Sequence, residues 1–177
     1  ALRIASVPIG KQDLCQVIKW MQHRLQQADV DLRLQTTITL DMLKQEYQDY
    51  EVIAATGAKP IIPHHLTAFQ QWMSADDILS GKAFPGRKIV IIGGGSVGCE
   101  LADYLAPLVN DRFPRNRDIT VIEMDYEIML QESGPGRSLL VQRLMKKGVH
   151  IQVNAKVTKV TENQITYIQN GIEHTID

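Results

Sequence analysis

The sequence predicts an α/β fold in which a parallel sheet is followed by an antiparallel meander. Ile89 to Ile92 form an apolar run rich in β-branched residues, and apolar residues recur at helical intervals behind it. The strand pattern returns at Ile119 to Glu123. Short alternating segments separated by turn residues then close the chain, which is typical of a meander.

Three glycines follow the first of these strands at the GxGxxG spacing, namely Gly93, Gly95 and Gly98. Gly93 allows a sharp turn off the strand, Gly95 lets a pyrophosphate approach the bare backbone, and Gly98 lets the helix pack closely on the strand. The phosphates would lie at the helix N-terminus, where free N–H groups and the helix dipole favour an anion. The pattern therefore predicts a Rossmann-like dinucleotide-binding domain.

The second strand ends in a carboxylate, Glu123, as this site requires. An acid at that strand end can accept hydrogen bonds from both ribose hydroxyls of an adenosine. Glu123 comes later than the usual interval of about 20 residues, and we interpret segment 111–118 as an inserted surface loop. Two simpler interpretations stay open: the glycines serve only the turn, and Glu123 is only a solvated strand end.

The first part of the chain alternates predicted helices and strands. Residues 11–28 form an amphipathic helix by their three- and four-residue apolar spacing, and 39–45 form a short helix with Thr39 or Asp41 as its cap. Residues 30–34 are predicted to be a short strand. Residues 50–55 are predicted to be a buried strand that leads into a turn.

A linker without clear periodicity follows at 59–73, and Ser74 to Gly81 form a capped helix closed by a glycine. We expect the helix behind the glycine turn to end near 107–110. A crossover helix is predicted at 133–147, with an inner face made of Leu139, Leu140, Leu144 and Met145. The remaining predicted strands are a third parallel strand at 149–153 and meander strands at 156–160, 164–168 and 173–176.

Composition favours a globular protein of the cytoplasm. The 177 residues carry a net charge of -1, which gives no electrostatic footprint for nucleic acid. Apolar runs are too short for a membrane span or a signal peptide. Cys15 and Cys99 stand far apart, so neither a redox pair nor a metal cluster is expected, and Cys99 is predicted to be packed rather than reactive. The adjacent His64 and His65 point different ways, so we expect no metal there.

Several motifs together resemble a known family. They are Pro-x-Gly-Lys near the start, Ala55-Thr-Gly-Ala-Lys-Pro60, Ser74-Ala-Asp-Asp-Ile-Leu79, Ile91-Ile-Gly-Gly-Gly-Ser-Val-Gly-Cys-Glu100 and Val121-Ile-Glu-Met124. Over nearly the whole chain they resemble the C-terminal region of the multi-domain NADH:flavin oxidoreductases related to Old Yellow Enzyme. This family includes 2,4-dienoyl-CoA reductases, NADH oxidases and trimethylamine dehydrogenase.

The resemblance implies a division of labour between domains. In that family a TIM barrel carries FMN and an iron–sulfur cluster, and the C-terminal region binds FAD and NAD(P)H through two dinucleotide folds. By that implication, residues 1–58 are part of a second, FAD-binding α/β domain, 59–82 are a linker, and 83–177 are the NAD(P)H-binding domain. We therefore expect this chain to be a piece of a longer polypeptide whose TIM barrel is its partner. Oligomeric state is not predicted.

The resemblance also implies the cofactor contacts. Thr56 and Gly57 match a turn against the FAD side, and Glu100 matches an acid near the meeting point of nicotinamide and flavin. The carboxylates of Glu123 to Glu127 would repel a 2′-phosphate, which favours NADH over NADPH. The implied NAD(P)H contacts are Gly93, Gly94, Gly95, Ser96, Val97, Gly98, Glu100, Glu123 and Met124.

The predicted function is passage of a hydride from NADH to FAD and onward to centres outside this chain, which alone would be inactive. No residue is named as an acid or base catalyst because the hydride chemistry belongs to the cofactors. One alternative is a structural module that binds ADP or nothing. A methyltransferase is a second alternative, but its sheet would lack the Ala-Thr-Gly turn and the meander. A short-chain dehydrogenase is disfavoured because no Tyr-xxx-Lys pair exists.

Overall fold

The computed structural model describes residues 2–63, 66, 69, 71–106 and 117–177. The described elements alternate between helices and strands only in the second half of the chain. The helices are α1 (Leu2–Ala5), α2 (Leu14–Gln27), α3 (Leu40–Gln45), α4 (Ala75–Leu79), α5 (Ser96–Leu105) and α6 (Pro135–Lys146). The strands are β1 (Lys88–Ile92), β2 (Asp118–Ile122), β3 (His150–Gln152), β4 (Ala155–Val160), β5 (Ile165–Gln169) and β6 (Ile172–Ile176).

The parallel sheet has the order β1-β2-β3, with α5 and α6 as the crossovers. The register pairs Ile92 with Ile122 and Thr120 with His150, so the carboxyl ends of the strands meet at one edge. The predicted Rossmann-like α/β fold and its third parallel strand are confirmed. In such sheets ligands bind outside the carboxyl ends of the strands.

The two faces of this sheet have separate apolar cores. Side chains alternate along a strand, so Ile119 and Val121 join the large core with α4, α5 and α6. Ile122 points the other way and packs with Ala155, Val157 and Tyr167 of the antiparallel sheet. The result is a layer of helices, a parallel sheet and a meander on the opposite face.

The meander is confirmed, with the sheet order β4-β5-β6 and antiparallel pairing throughout. Its second hairpin turns at Asn170 and Gly171, whose φ angles are 51° and 81°. Positive φ at both turn positions is the geometry that Asn-Gly pairs favour in tight hairpins. This local signal explains why the meander could be predicted from sequence.

The helix predictions hold with small changes of boundary. Thr39 is the cap of α3, its hydroxyl accepting from the Met42 N–H at 3.3 Å. Ser74 caps α4 by accepting from the Asp77 N–H at 3.0 Å, and Gly81 follows with φ of 76°. Helix α5 ends at Leu105. The expected end near 107–110, like the His64-His65 pair, falls outside the described residues.

The predicted inner face of α6 is half wrong. Leu140 and Leu144 are buried, but Leu139 and Met145 are 62% and 68% exposed. Leu140 and Leu144 are four residues apart and share one helix face, whereas a step of one residue turns the side chain by about 100°. The buried face of α6 is therefore narrower than the four apolar residues predicted.

Both strands predicted before the linker are wrong. Residues 30–34 and 50–60 have neither helical nor strand pairing, and Ile53 is 90% exposed. A strand is stable only when its backbone groups pair with a neighbour, and no described strand lies beside these segments. The division into residues 1–58, 59–82 and 83–177 stays a prediction.

Among the described residues, no helix combines the length and the apolar character needed to cross a membrane.

Candidate functional site

The candidate site is built from the carboxyl ends of β1 and β2 and from the glycine turn that leads from β1 into α5. Because β1 and β2 are parallel and in register, Gly93 and Glu123 leave the sheet at the same edge. The Gly93 N–H donates to the Ile122 carbonyl at 2.9 Å, and the Glu123 N–H donates to the Gln152 carbonyl at 2.8 Å. The sheet hydrogen bonds thus continue one residue past the strands and hold the glycine turn against the strand-end acid.

Gly93 and Gly98 shape the turn from β1 into α5. Gly93 has a φ of 104°, which disfavours any side chain. A Cβ at Gly98 would lie 2.0 Å from the Gly93 carbonyl oxygen. The close helix packing predicted for Gly98 is therefore present, and the oxygen of the turn lies directly against the first turn of the helix. Contact of either glycine with a cofactor stays a prediction.

Gly95 begins α5 and leaves its start open to a ligand. Gly95 is the N-cap residue, and no side chain caps this end. A Cβ at Gly95 would have no heavy atom within 4 Å, so the space beside it is free. Val97 in the first turn is 61% exposed. Uncapped backbone N–H groups, the free space beside Gly95 and the positive end of a ten-residue helix together suit an anion such as a pyrophosphate.

Gly94 has a structural role that the sequence analysis did not assign. Its N–H donates to Glu123 Oε2 at 2.6 Å, and its carbonyl accepts from the Met129 N–H at 2.8 Å. A Cβ at Gly94 would lie 2.7 Å from Cγ2 of Ile128. We call residues 123–132 the acid loop. Gly94 is therefore the point at which the acid loop clamps the glycine turn.

The carboxylate of Glu123 is oriented by two backbone donors. Oε2 accepts from the Gly94 N–H at 2.6 Å, and Oε1 accepts from the Asp125 N–H at 2.9 Å. Each carboxylate oxygen has a further lone pair, so Glu123 retains capacity for ribose hydroxyls. The neighbouring Met124 is 66% exposed and free to cover a ligand.

An open pocket of about 220 Å³ lies between the glycine turn and the acid loop. Whole-ligand pockets usually measure about 300–1,000 Å³, so this one fits part of a dinucleotide, such as a ribose and its phosphates. Among the described residues its lining includes four carboxylates and no lysine or arginine: Gly94, Gly95, Ser96, Glu123, Asp125, Glu127, Met129, Leu130, Gln131 and Glu132.

Arg137 of α6 fixes the acid loop from behind. Its guanidinium pairs with the Glu127 carboxylate and donates to the Ile128 carbonyl at 3.1 Å. Met129 next to it has a φ of 53°, which is uncommon for a residue with a side chain. Strained residues of this kind persist only where the surroundings hold them. The backbone of the acid loop is therefore firmly placed.

Glu100 lies one helix turn into α5, where it forms an ion pair with Lys11. Lys11 precedes α2, so this pair joins the N-terminal segment to the helix that starts at the glycine turn. The Lys11 and Glu100 side chains are 41% and 22% exposed, so the pair remains in contact with water. Lys11 belongs to the Pro-x-Gly-Lys motif, but nothing in that motif predicted its partner.

Thr56 and Gly57 are not brought to the glycine turn by any described hydrogen bond. They lie in the irregular, exposed segment 51–60, and Gly57 has a φ of 83°. The described residues therefore bring Glu123 and the glycine turn together but do not bring Thr56 and Gly57 to them. Their contact with FAD stays a prediction.

Cys99 is fully buried beneath the glycine turn, and its thiol donates to the Gly94 carbonyl at 3.2 Å. Burial, together with the negative charges of Glu123 and Glu100, raises the pKa of the thiol from 9.0 to about 12. The thiolate is the reactive form, so Cys99 is a packed residue, as predicted. Cys15 is exposed, and both cysteines are free.

We therefore expect iodoacetamide at pH 9 to alkylate Cys15 but not Cys99 in the folded chain. From the shifted pKa, the thiolate fraction of Cys99 is lower by roughly a thousandfold. Because the pKa of this thiol is lower in the unfolded chain, loss of the proton favours unfolding. The contribution of Cys99 to the free energy of unfolding is therefore complete below pH 9 and is lost as the pH rises toward 12. Mass spectrometry of labelled peptides, with a urea-unfolded control, measures how far each cysteine is alkylated. Equal labelling of both cysteines in the folded chain would contradict the buried thiol.

Comparison with known proteins supports the nucleotide-binding interpretation. The family described as pyridine nucleotide-disulphide oxidoreductase matches residues 22–177. A bilirubin reductase of Mediterraneibacter gnavus is 30% identical over 164 residues, covering 93% of this chain and 24% of that protein. An NADH oxidase of Thermoanaerobacter brockii is 30% identical over 168 residues, covering 90% of this chain and 24% of that protein.

A cinnamate reductase of Clostridium sporogenes is 29% identical over 177 residues, with 97% of this chain and 25% of that protein covered. The chain thus spans about a quarter of the length of these relatives. A solved complex of 2-naphthoyl-CoA reductase with 2-naphthoyl-CoA superimposes with a TM-score of 0.81 and 22% identity, over 99% of this chain and 26% of that one. At 22% identity, the match with the 2-naphthoyl-CoA reductase structure shows a shared fold alone.

Proposed function

Because the chain belongs to the pyridine nucleotide-disulphide oxidoreductase family, we propose that it binds NADH as the nucleotide-binding part of a flavin-dependent oxidoreductase. The observation that carries this proposal is the clamp between Gly94 and Glu123. It holds a ribose-binding acid beside the open start of α5, where the phosphates would lie. When bound, NADH would supply the hydride and FAD would accept it. The described residues would bind and orient the nucleotide.

NADH is favoured over NADPH on the basis of charge. A 2′-phosphate on the adenosine ribose would enter a pocket that already holds the carboxylates of Glu123, Asp125 and Glu127. Arg137, whose guanidinium contacts the acid loop, is engaged by Glu127 and by the Ile128 carbonyl. Like charges at short range oppose each other, so the extra phosphate costs binding energy.

The wider assignment rests on the resemblance to Old Yellow Enzyme-related NADH:flavin oxidoreductases. Under this assignment, a longer polypeptide supplies a TIM barrel with FMN and an iron–sulfur cluster, and electrons pass from the flavin to a substrate bound at that barrel. The relatives are named for activities that range from bilirubin reduction to NADH oxidation. They therefore support an electron-transfer role without singling out a substrate. A cytoplasmic location belongs to the same proposal.

A structural module that binds only ADP is the second candidate. It is favoured by one observation: the glycine turn and Glu123 lie together, while no described hydrogen bond joins Thr56 and Gly57 to them. The methyltransferase alternative loses support, because the meander that it lacks is present as β4 to β6.

Calorimetric titration of the purified chain with NADH, NADPH, ADP-ribose, ADP and FAD tests the proposal. Binding of NADH more tightly than ADP would support a site that also engages the nicotinamide half. Equal affinity for NADH and ADP would favour the structural module. If none of the dinucleotides binds to a chain whose circular dichroism shows it to be folded, the proposed function is wrong for this chain.

Replacement of Glu123 provides a more specific prediction. We expect Glu123→Gln to weaken NADH binding by about tenfold, since loss of a charged acceptor for hydroxyls costs roughly 1.5 kcal/mol. NADPH should lose less, because one repulsive charge disappears along with the acceptor. Glu127→Gln is the matched control, because its carboxylate lines the same pocket but its charge is partly offset by the ion pair with Arg137. An unchanged NADH to NADPH preference in Glu123→Gln would contradict the specificity argument.

A further inference from the structure

We infer that Glu132 is a gating residue of the dinucleotide site, whose carboxylate holds the Ser96 hydroxyl beside the start of α5 and must turn away from it when a pyrophosphate binds there. This inference rests on the proposed function. It assigns to the last residue of the acid loop a part in controlling affinity, which neither the glycine motif nor the strand-end acid supplies.

The contact that carries the inference joins two segments distant in sequence. The Ser96 hydroxyl, on the first residue of α5, donates to Oε1 of Glu132. Both residues line the pocket together with Gly94 and Gly95. The carboxylate of Glu132 thus lies beside the helix end that favours anions, where its charge would oppose a phosphate and its hydrogen bond engages the Ser96 hydroxyl.

The backbone that carries Glu132 is fixed, whereas its side chain is free to move. The Glu132 N–H donates to the Met129 carbonyl at 3.0 Å, and the Met129 N–H donates to the Gly94 carbonyl at 2.8 Å. Glu132 itself is exposed. Rotation of its side chain into water breaks one hydrogen bond and leaves the acid loop in place. The gate is therefore one side chain and does not require movement of the loop.

Glu132 lies in a pocket lined by other carboxylates, so its charge affects the binding of an anion there. No cation lines the pocket among the described residues, and Glu132 shares it with Glu123, Asp125 and Glu127. A pyrophosphate at the start of α5 would meet the Glu132 carboxylate at close range, where two like charges repel appreciably even in water. Departure of Glu132 removes this repulsion and frees the Ser96 hydroxyl to donate to a phosphate oxygen. Ligands without phosphate should not respond to the gate.

The test compares Glu132→Gln with the unmodified chain by calorimetric titration with ADP-ribose and with adenosine. Removal of one charge close to two phosphates should tighten ADP-ribose binding by about 3- to 10-fold at low salt. Adenosine binding should change by less than about twofold, because adenosine carries no phosphate. The gain for ADP-ribose should shrink at high salt, since exposed charges are screened.

Asp125→Asn is the matched control, because it removes the same charge from the same pocket without touching Ser96. A smaller gain than that of Glu132→Gln supports the gate. Equal gains for the two variants would show a general charge effect and overturn the inference, as would weaker ADP-ribose binding in Glu132→Gln.

The outcomes also separate the inference from the proposed function. If the unmodified chain binds NADH and Glu132→Gln binds ADP-ribose no more tightly, only the gate is wrong. If folded samples of both proteins bind neither ligand, the proposed function is wrong and the gate is wrong with it.

Discussion

Replacement of Gly98 by Ala should destabilise the fold by about 3 kcal/mol or more, which is the upper part of the range for overpacked positions. A Cβ there would lie 2.0 Å from the Gly93 carbonyl oxygen and 3.2 Å from the Gly93 carbonyl carbon. The atoms it meets are backbone, so no side-chain rotation relieves the overlap. Either α5 must move away from β1 or the glycine turn must change shape. Urea unfolding followed by circular dichroism measures the loss.

Gly136→Ala is the control for Gly98→Ala, because it makes the same chemical change in the first turn of α6. A Cβ at Gly136 would have no heavy atom within 4 Å. Alanine favours the helix over glycine by about 0.5–1 kcal/mol, so this variant should be neutral or slightly more stable. A Gly98→Ala variant as stable as Gly136→Ala would refute the close packing at the turn.

Asp103→Ala should lower the free energy of unfolding by about 3–5 kcal/mol, the usual cost of removing one partner of a buried ion pair. Asp103 is 2% exposed and pairs with Lys147 at 2.9 Å and with Arg143 at 2.9 Å. The side chain of Lys147 is only 3% exposed, and it also donates to the Asp103 carbonyl at 2.6 Å. Without the carboxylate, a buried ammonium group loses its counter-ion, and α5 and α6 lose their polar link.

Asp118→Ala is the matched control for Asp103→Ala. Asp118 lies 3.8 Å from His150, and the two side chains are 59% and 67% exposed. Exposed pairs contribute about 0–1 kcal/mol, so this variant should unfold at nearly the same urea concentration as the unmodified chain. Similar losses for Asp103→Ala and Asp118→Ala would mean that burial does not govern the first pair.

The second half of the fold could be predicted because its signals are local. The glycine spacing, the β-branched strands and the Asn170-Gly171 turn each specify their own backbone. The segment 50–55 has an equally apolar, β-branched sequence, yet it forms no strand among the described residues. Strand formation depends on a partner, and a sequence window contains no information about whether one is present.

The candidate site shows the same contrast. Gly93, Gly95, Gly98 and Glu123 could be named from spacing alone, because a turn, a helix start and a strand end follow directly from the chain order. Lys11 and Glu132 could not, since their contacts with Glu100 and Ser96 depend on where separate segments lie in space. Their prediction requires the three-dimensional arrangement, and the role of Glu132 in binding stays a proposal.

The meander begins directly on the acid loop. The Asn154 N–H donates to the Asp125 carbonyl, and the Ala155 N–H donates to the Glu123 carbonyl, each at 2.8 Å. The meander packs on the face of the parallel sheet away from the helices, in a small core that it shares with Ile122 of β2, so its opening would leave the helix layer in place. Each opening would break these two backbone hydrogen bonds and loosen the acid loop. The meander therefore helps to hold the shape of the candidate pocket.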